Sequence, residues 1–190
     1  QSIGRKLLLE KLGIRFRVVV ARVDEESITD KKPESMIKKR AFAKAQEVVS
    51  HLRVYSLSEE REALIIAADS MAIVGSRVFG KSTDRENTKE MLKSLMGRTH
   101  TFITAVNIAL VQNNAVKKRW EKVVKTKVTF RKMPPVEVDS YVSRFDFTRF
   151  AAGYALNEAP WDLVTKVDGS YTNVIGLPFE VLLPILRTLK

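Results

Sequence analysis

Asp69 and Ser70 interrupt the stretch "ALIIAADSMAIV" (Ala63 to Val74), which is otherwise apolar or small. A carboxylate on a strand bound for a core is costly, at least about 2–7 kcal/mol for a polar group left unpaired. Asp69 therefore either reaches solvent or has a partner. Four other short segments carry groups that could supply one. "VDEES" (Val23 to Ser27) places Asp24, Glu25 and Glu26 in a row; such a run can hold a divalent cation, and more often it is a solvated loop. In "AFAKAQ", Lys44 falls near Ile37, Ala41 and Val48 at 100° per residue, inside an apolar stripe. Either its stem packs while its head reaches water, or it aims a cation into a site beside the sheet. "FGKS" (Phe79 to Ser82) follows a glycine with Lys81. "SIGRK" (Ser2 to Lys6) sets a hydroxyl, Gly4 and the cations Arg5 and Lys6 before an apolar helix. A helix N-terminus with cations suits phosphate, and a plain N-cap serine is the simpler reading. The string "GSRVFGKS" also matches the phosphate-loop pattern. Its context is wrong, because Arg77 to Phe79 reads as the second strand of a hairpin and the next helix begins only after Thr83.

Composition narrows the chemistry. The 190 residues contain no cysteine and two histidines, His51 and His100, so thiol nucleophiles, disulfides and multi-histidine zinc sites are out. Any metal would take oxygen ligands, as magnesium or manganese do. The absence of cysteine fits a reducing compartment, and a cytoplasmic location is expected. No apolar run approaches the roughly 20 residues of a membrane span, and no signal-peptide pattern opens the chain. The net charge is +11. The cations are scattered over many elements with no basic tail, which favours solubility and an anionic small substrate over nucleic acid.

The elements that must position these residues follow from periodicity and punctuation. Arg5 to Leu12 predicts a helix stopped by Gly13, and Ile14 to Val20 a strand. Pro33 opens a helix to about Leu52 with a stripe at Ile37, Ala41, Ala45, Val48 and Leu52. Ala63 to Ala68 predicts a strand, and Met71 to Phe79 a hairpin turning at Gly75-Ser76. Thr83 and Glu86 form a capping box for a helix to Met96. Thr99 to Val111 and Val116 to Phe130 predict a long hairpin across "QNNA". A helix from Val136 to Arg144, an irregular Phe145 to Asn157, a strand at Leu163 to Val167, a turn at "DGSY" and a helix from Pro178 to Leu189 complete the chain. The mixture argues an α/β or α+β fold in one domain.

In order, these segments closely resemble the Maf family of nucleoside triphosphate pyrophosphatases. The resemblance covers nearly all of the chain, and "GRTHTFITAV" and "GSYTNVIGLP" are its most specific pieces. It implies a single Maf-like domain over residues 1–190, with a mixed twisted sheet, flanking helices and two lobes around a cleft (Maf/ITPase-like). The opening strand usual in the family is missing, because Gln1 stands where that strand should just have ended. The implied reaction hydrolyses a nucleoside triphosphate between its α- and β-phosphates, releasing pyrophosphate. A divalent metal, magnesium or manganese, and a homodimer are implied too.

Position by position, the resemblance makes Asp69 the general base and Glu25 a metal ligand beside it. Lys44 and Lys81 match the motif lysines, and Ser2 and Arg5 the phosphate-binding positions. Gly4, Ser70 and Asn157 stand where base preference is set, and each departs from the family's usual residue. Gly4 replaces a cation, Ser70 a Thr or Gln, and Asn157 a Gln or Glu. Phe150 replaces a lysine, and "GKS" stands for "GKP". The pattern matches neither the pyrimidine-preferring members nor those acting on 7-methylguanosine triphosphate. The rival reading is a non-catalytic nucleotide- or nucleic-acid-binding regulator linked to cell division; the retained Asp69, Glu25, Lys44 and Lys81 argue against it.

Overall fold

In the computed structural model, which describes residues 2–57, 62–156 and 163–189, the chain starts on a capped helix. Ser2 is extended and its Oγ accepts from the Arg5 N–H at 3.4 Å, so helix α1 runs Ile3–Lys11. It begins earlier than the sequence suggests, which puts Gly4 in its first turn and not ahead of it. Gly13 follows its end at φ +66°, a left-handed conformation that glycine adopts without steric penalty.

The stretch from Ile14 to Val20 is not a strand. Its alternation survives in burial, with Ile14 and Phe16 half-buried and Arg15 and Arg17 exposed. Val18 and Val20, however, are exposed, and Arg17 donates to the carbonyls of Tyr55 and Ser56. Alternation specifies a two-faced segment; a strand also needs a neighbouring backbone to bond.

Helix α2 (Pro33–Ser50) has proline at its start and buries the expected stripe at Ile37, Ala41, Ala45 and Val48, with Leu52 buried just beyond. Strand β1 (Glu62–Val74) is continuous through Asp69 and turns at Gly75-Ser76 into β2 (Arg77–Phe79), with Val74 opposite Arg77. Helix α3 (Arg85–Leu95) is capped by Asp84, whose Oδ1 accepts from the Asn87 N–H at 2.8 Å. Thr83 is therefore not the cap; its hydroxyl donates to the other oxygen of Asp84. Asp and Thr both cap well, and the aspartate stands next to the first helical residue.

Strands β3 (Thr99–Gln112) and β4 (Ala115–Phe130) are joined by Asn113 and Asn114, at φ +50° and +60°. Two successive positive φ values define the tight turn that matches the twist of a hairpin. Strand β5 (Val164–Asp168) runs antiparallel to the end of β4, and the sheet order is β2-β1-β3-β4-β5. Helix α4 (Pro135–Arg144) precedes the irregular segment. The "DGSY" turn leads into a short helix missed in the sequence, α5 (Tyr171–Ile175), capped by Ser170 and ended by Gly176 at φ +112°. Helix α6 (Phe179–Arg187) closes the chain with Pro184 inside it.

Contacts divide the chain into two compact units, and the partition crosses β1 between Asp69 and Ser70. The first unit contains Gly13–Asp69 and Ala105–Val123. Ala45, Val48, Leu52, Ile65, Ala109 and Val111 form its core. Beside that core, Arg119 donates to Asn107 Oδ1 and Gln46 Oε1 and lies over the Phe42 ring. The second unit contains Ser2–Leu12, Ser70–Thr104 and Val124–Lys190. Its core includes Leu92, Leu95, Phe102, Phe130, Tyr141 and Tyr154, with the Phe130 and Tyr154 rings edge to face at 4.8 Å.

Candidate active site

Asp69 has its partner. Lys44 Nζ, projecting from α2, lies 3.0 Å from Asp69 Oδ1 and 2.6 Å from Glu25 Oε2. The Lys44 and Asp69 side chains are only 17% and 13% exposed, against 44% for Glu25. The lysine that lies inside an apolar stripe is therefore turned toward two carboxylates and not toward water. The turn of "VDEES" decides which acid takes part. Asp24 Oδ1 accepts from the Glu26 and Ser27 N–H groups, and the Ser27 hydroxyl donates to the Asp24 carbonyl. Asp24 thus folds back on its own loop, and Glu25 is the acid that meets Lys44. All three members of this trio belong to the first unit.

The donor set suits a hard cation. Two carboxylate oxygens contact one ammonium, so both lie within reach of a single charge. Among the described residues no group of three or more Asp, Glu, His or Cys is gathered for a metal. Magnesium commonly takes one or two carboxylates and completes its octahedron with water and phosphate oxygens. Glu25 and Asp69 fit that pattern.

A second set of contacts lies in the second unit, around Arg5. From the first turn of α1, Arg5 Nε donates to the Gly176 carbonyl at 2.8 Å and its terminal nitrogen to Ser70 Oγ at 3.0 Å. Ser70 Oγ is 2.9 Å from Thr104 Oγ1, and the Thr104 hydroxyl donates to the Asn173 carbonyl at 3.0 Å. Thr104 and Asn173 are completely buried. The Asn173 amide donates to the Phe102 carbonyl and to Thr126 Oγ1. Gly4, one residue before Arg5, packs on α5: a β-carbon there would lie 2.7 Å from the Ile175 carbonyl oxygen. Any side chain at this position would push the two helices apart.

The remaining predicted positions are placed as follows. Ser2 serves as the α1 cap. Lys81 is exposed just past β2, and its backbone makes an isolated bridge with Ala151. The hairpin before it and the start of α3 at Arg85 bear out the exclusion of a phosphate loop. Asn157 lies outside the described residues. His51 is on the surface beside Glu47, whereas His100 is buried against Tyr154. Thr104, Asn173 and Gly176 received no role from the sequence, although they lie in its two most specific motifs. Their signal was a polar or flexible residue inside an otherwise apolar run.

Comparison with known proteins places the chain. The family model described as "Maf-like protein" matches residues 1–189. A "dTTP/UTP pyrophosphatase" of Thermoanaerobacter sp. (strain X514) is 32% identical over 187 residues, 98% of this chain and 92% of that protein. A protein of the same name from Pelotomaculum thermopropionicum (strain DSM 13744 / JCM 10971 / SI) is 34% identical, over 96% of this chain and 90% of its own length. Another from Chelativorans sp. (strain BNC1) is 31% identical over 96% and 85%. The chain belongs to the Maf family.

Proposed function

We propose that this protein is a nucleoside triphosphate pyrophosphatase that hydrolyses its substrate to the monophosphate and pyrophosphate, as one Maf-like domain. The observation that carries the reading is the trio of Lys44 between Asp69 and Glu25, in a chain whose relatives are named for this activity. dTTP and UTP, named in those relatives, are the first substrates to try.

In this reading Asp69 is the general base that takes a proton from the attacking water. Lys44 holds Asp69 in place and offsets charge that builds on the phosphates. Arg5, Lys81 and the Ser2 end of α1 bind the phosphate chain, which carries about four negative charges; phosphoryl chemistry depends chiefly on positioning and charge compensation. Glu25 and Asp69 would hold magnesium or manganese, which when bound lowers the pKa of water and neutralises phosphate charge. Ser70 and Asn157, with Gly4 fixing the seat of α1, set the base preference. The working assembly is a homodimer, an expectation that rests on the family resemblance.

The test is a pyrophosphate-release screen over the common and modified nucleoside triphosphates with each metal. One substrate class should release pyrophosphate, and Asp69→Asn should reduce turnover by at least about a hundredfold, the lower end of general-base contributions. Orthophosphate as the first product, or an unaffected Asp69→Asn enzyme, would sink the reading.

A further inference from the structure

The hydrogen bonds around Ser70 have one permitted direction. A hydroxyl carries one proton and two lone pairs. The Asn173 carbonyl can only accept, so the contact at 3.0 Å takes the Thr104 proton. Thr104 therefore has none to give Ser70, and the contact of 2.9 Å between them takes the Ser70 proton. Ser70 Oγ in turn accepts from the Arg5 guanidinium, which can only donate. The chain reads Arg5 N–H to Ser70 O–H to Thr104 O–H to Asn173 C=O, with every proton pointing away from Arg5.

Both ends of the chain are fixed. Arg5 is held at a second point by the Gly176 carbonyl. The Asn173 carbonyl is fixed by its own residue, whose N–H bonds Ser170 Oγ and whose amide bonds Phe102 and Thr126. Thr126 is itself saturated: it accepts from Asn173 and from the Ser170 N–H and donates to the Ser170 carbonyl. Thr104 and Asn173 are closed to water, so no solvent molecule competes for the Thr104 hydroxyl proton. Successive bonds in such a chain polarise one another in the same sense.

We propose that Thr104 is a positioning residue for Arg5: by fixing the direction of the Ser70 hydroxyl it keeps a lone pair turned to the guanidinium, and so holds the cation in its phosphate-binding pose. The proposal rests on the reading of Arg5 as a phosphate ligand. Without the Thr104 hydroxyl, Ser70 is free to turn its proton toward Arg5, where donor would face donor, and the Ser70 contact no longer helps to orient the cation.

The experiment compares wild type with Thr104→Val, Thr104→Ser, Arg5→Ala and the Arg5→Ala/Thr104→Val double variant. Two quantities are read: the Kd for inorganic tripolyphosphate by calorimetry, and KM and kcat for UTP or dTTP, whichever the screen shows to be turned over. Loss of one hydrogen bond predicts that Thr104→Val raises Kd and KM by about threefold to tenfold, with kcat within about twofold. Thr104→Ser restores wild-type values, and the double variant is no weaker than Arg5→Ala alone, because the two act through one link. Unchanged binding in Thr104→Val, no rescue by serine, or additive losses in the double variant overturns the positioning role while leaving Arg5 as a ligand. Unchanged tripolyphosphate binding in Arg5→Ala overturns the ligand reading and the proposal with it. Should Thr104→Val fail to fold, Ser70→Ala cuts the same chain at a half-buried position and must show the same loss of tripolyphosphate affinity.

Discussion

Lys44 shows how a single residue can be read two ways until its contacts are known. Its place in the apolar stripe of α2 was visible in the sequence; its direction was not, because a long flexible stem can lead either out to water or in to a site. The two carboxylates decide it, and Asp69 was the legible half of the pair because an acid in an apolar strand demands an explanation. Lys44→Met keeps the packed stem and removes the charge. It leaves Asp69, nearly buried, without its cation, at a cost of about 1–3 kcal/mol in stability. Turnover should fall by more than tenfold, a larger effect than the stability loss explains at a temperature where the variant is fully folded. Urea denaturation and pyrophosphate release on the same preparation check this. A variant that is destabilised but turns over normally would make Lys44 a structural residue only.

At the scale of elements, most of the fold was legible where a periodic pattern met clear punctuation. The stripe of α2, the turn at Gly75-Ser76 and the long hairpin across Asn113-Asn114 all formed as read. What failed depended on tertiary partners. The alternating segment after Gly13 acquired side-chain contacts in place of a ladder, and α5 is five residues long, too short for periodicity to declare. That short helix is nevertheless central, since α1 packs on it through Gly4. Gly4→Ala would drive a β-carbon to 2.7 Å from the Ile175 carbonyl oxygen, a backbone atom that cannot rotate away. The expected cost is about 1–3 kcal/mol, as for overpacking in a core, read as a lower urea midpoint. A midpoint equal to wild type would show that the helices separate freely. The same contact leaves no room for a longer side chain at position 4 in this chain.

For the molecule as a whole, stability should depend on one imidazole. His100 is 1% exposed, with Nε2 2.8 Å from the Tyr154 hydroxyl and its ring edge-on to Phe130. Burial lowers its pKa from 6.5 to about 4, whereas the unfolded chain titrates at the ordinary value. Between those limits the unfolded state binds the extra proton, so stability is complete above about pH 6.5 and is lost as the pH falls toward 4. The difference amounts to about 3 kcal/mol. Burial raises the Tyr154 phenol well above its usual range, so it stays neutral throughout. Urea titrations from pH 7 to 4.5 should show the decline in wild type and a flatter profile in His100→Gln; equal slopes would assign the acid sensitivity elsewhere. The sequence could not have disclosed this, because a lone histidine in "GRTHTF" looks the same whether buried or exposed. The partition at the peptide bond between Asp69 and Ser70 has an evolutionary consequence. Asp69 bonds Lys44 within one unit, and Ser70 bonds Arg5 and Thr104 within the other. Two consecutive codons thus answer to separate sets of neighbours, and a lineage can revise the second set by drift and selection while the first stays as it is.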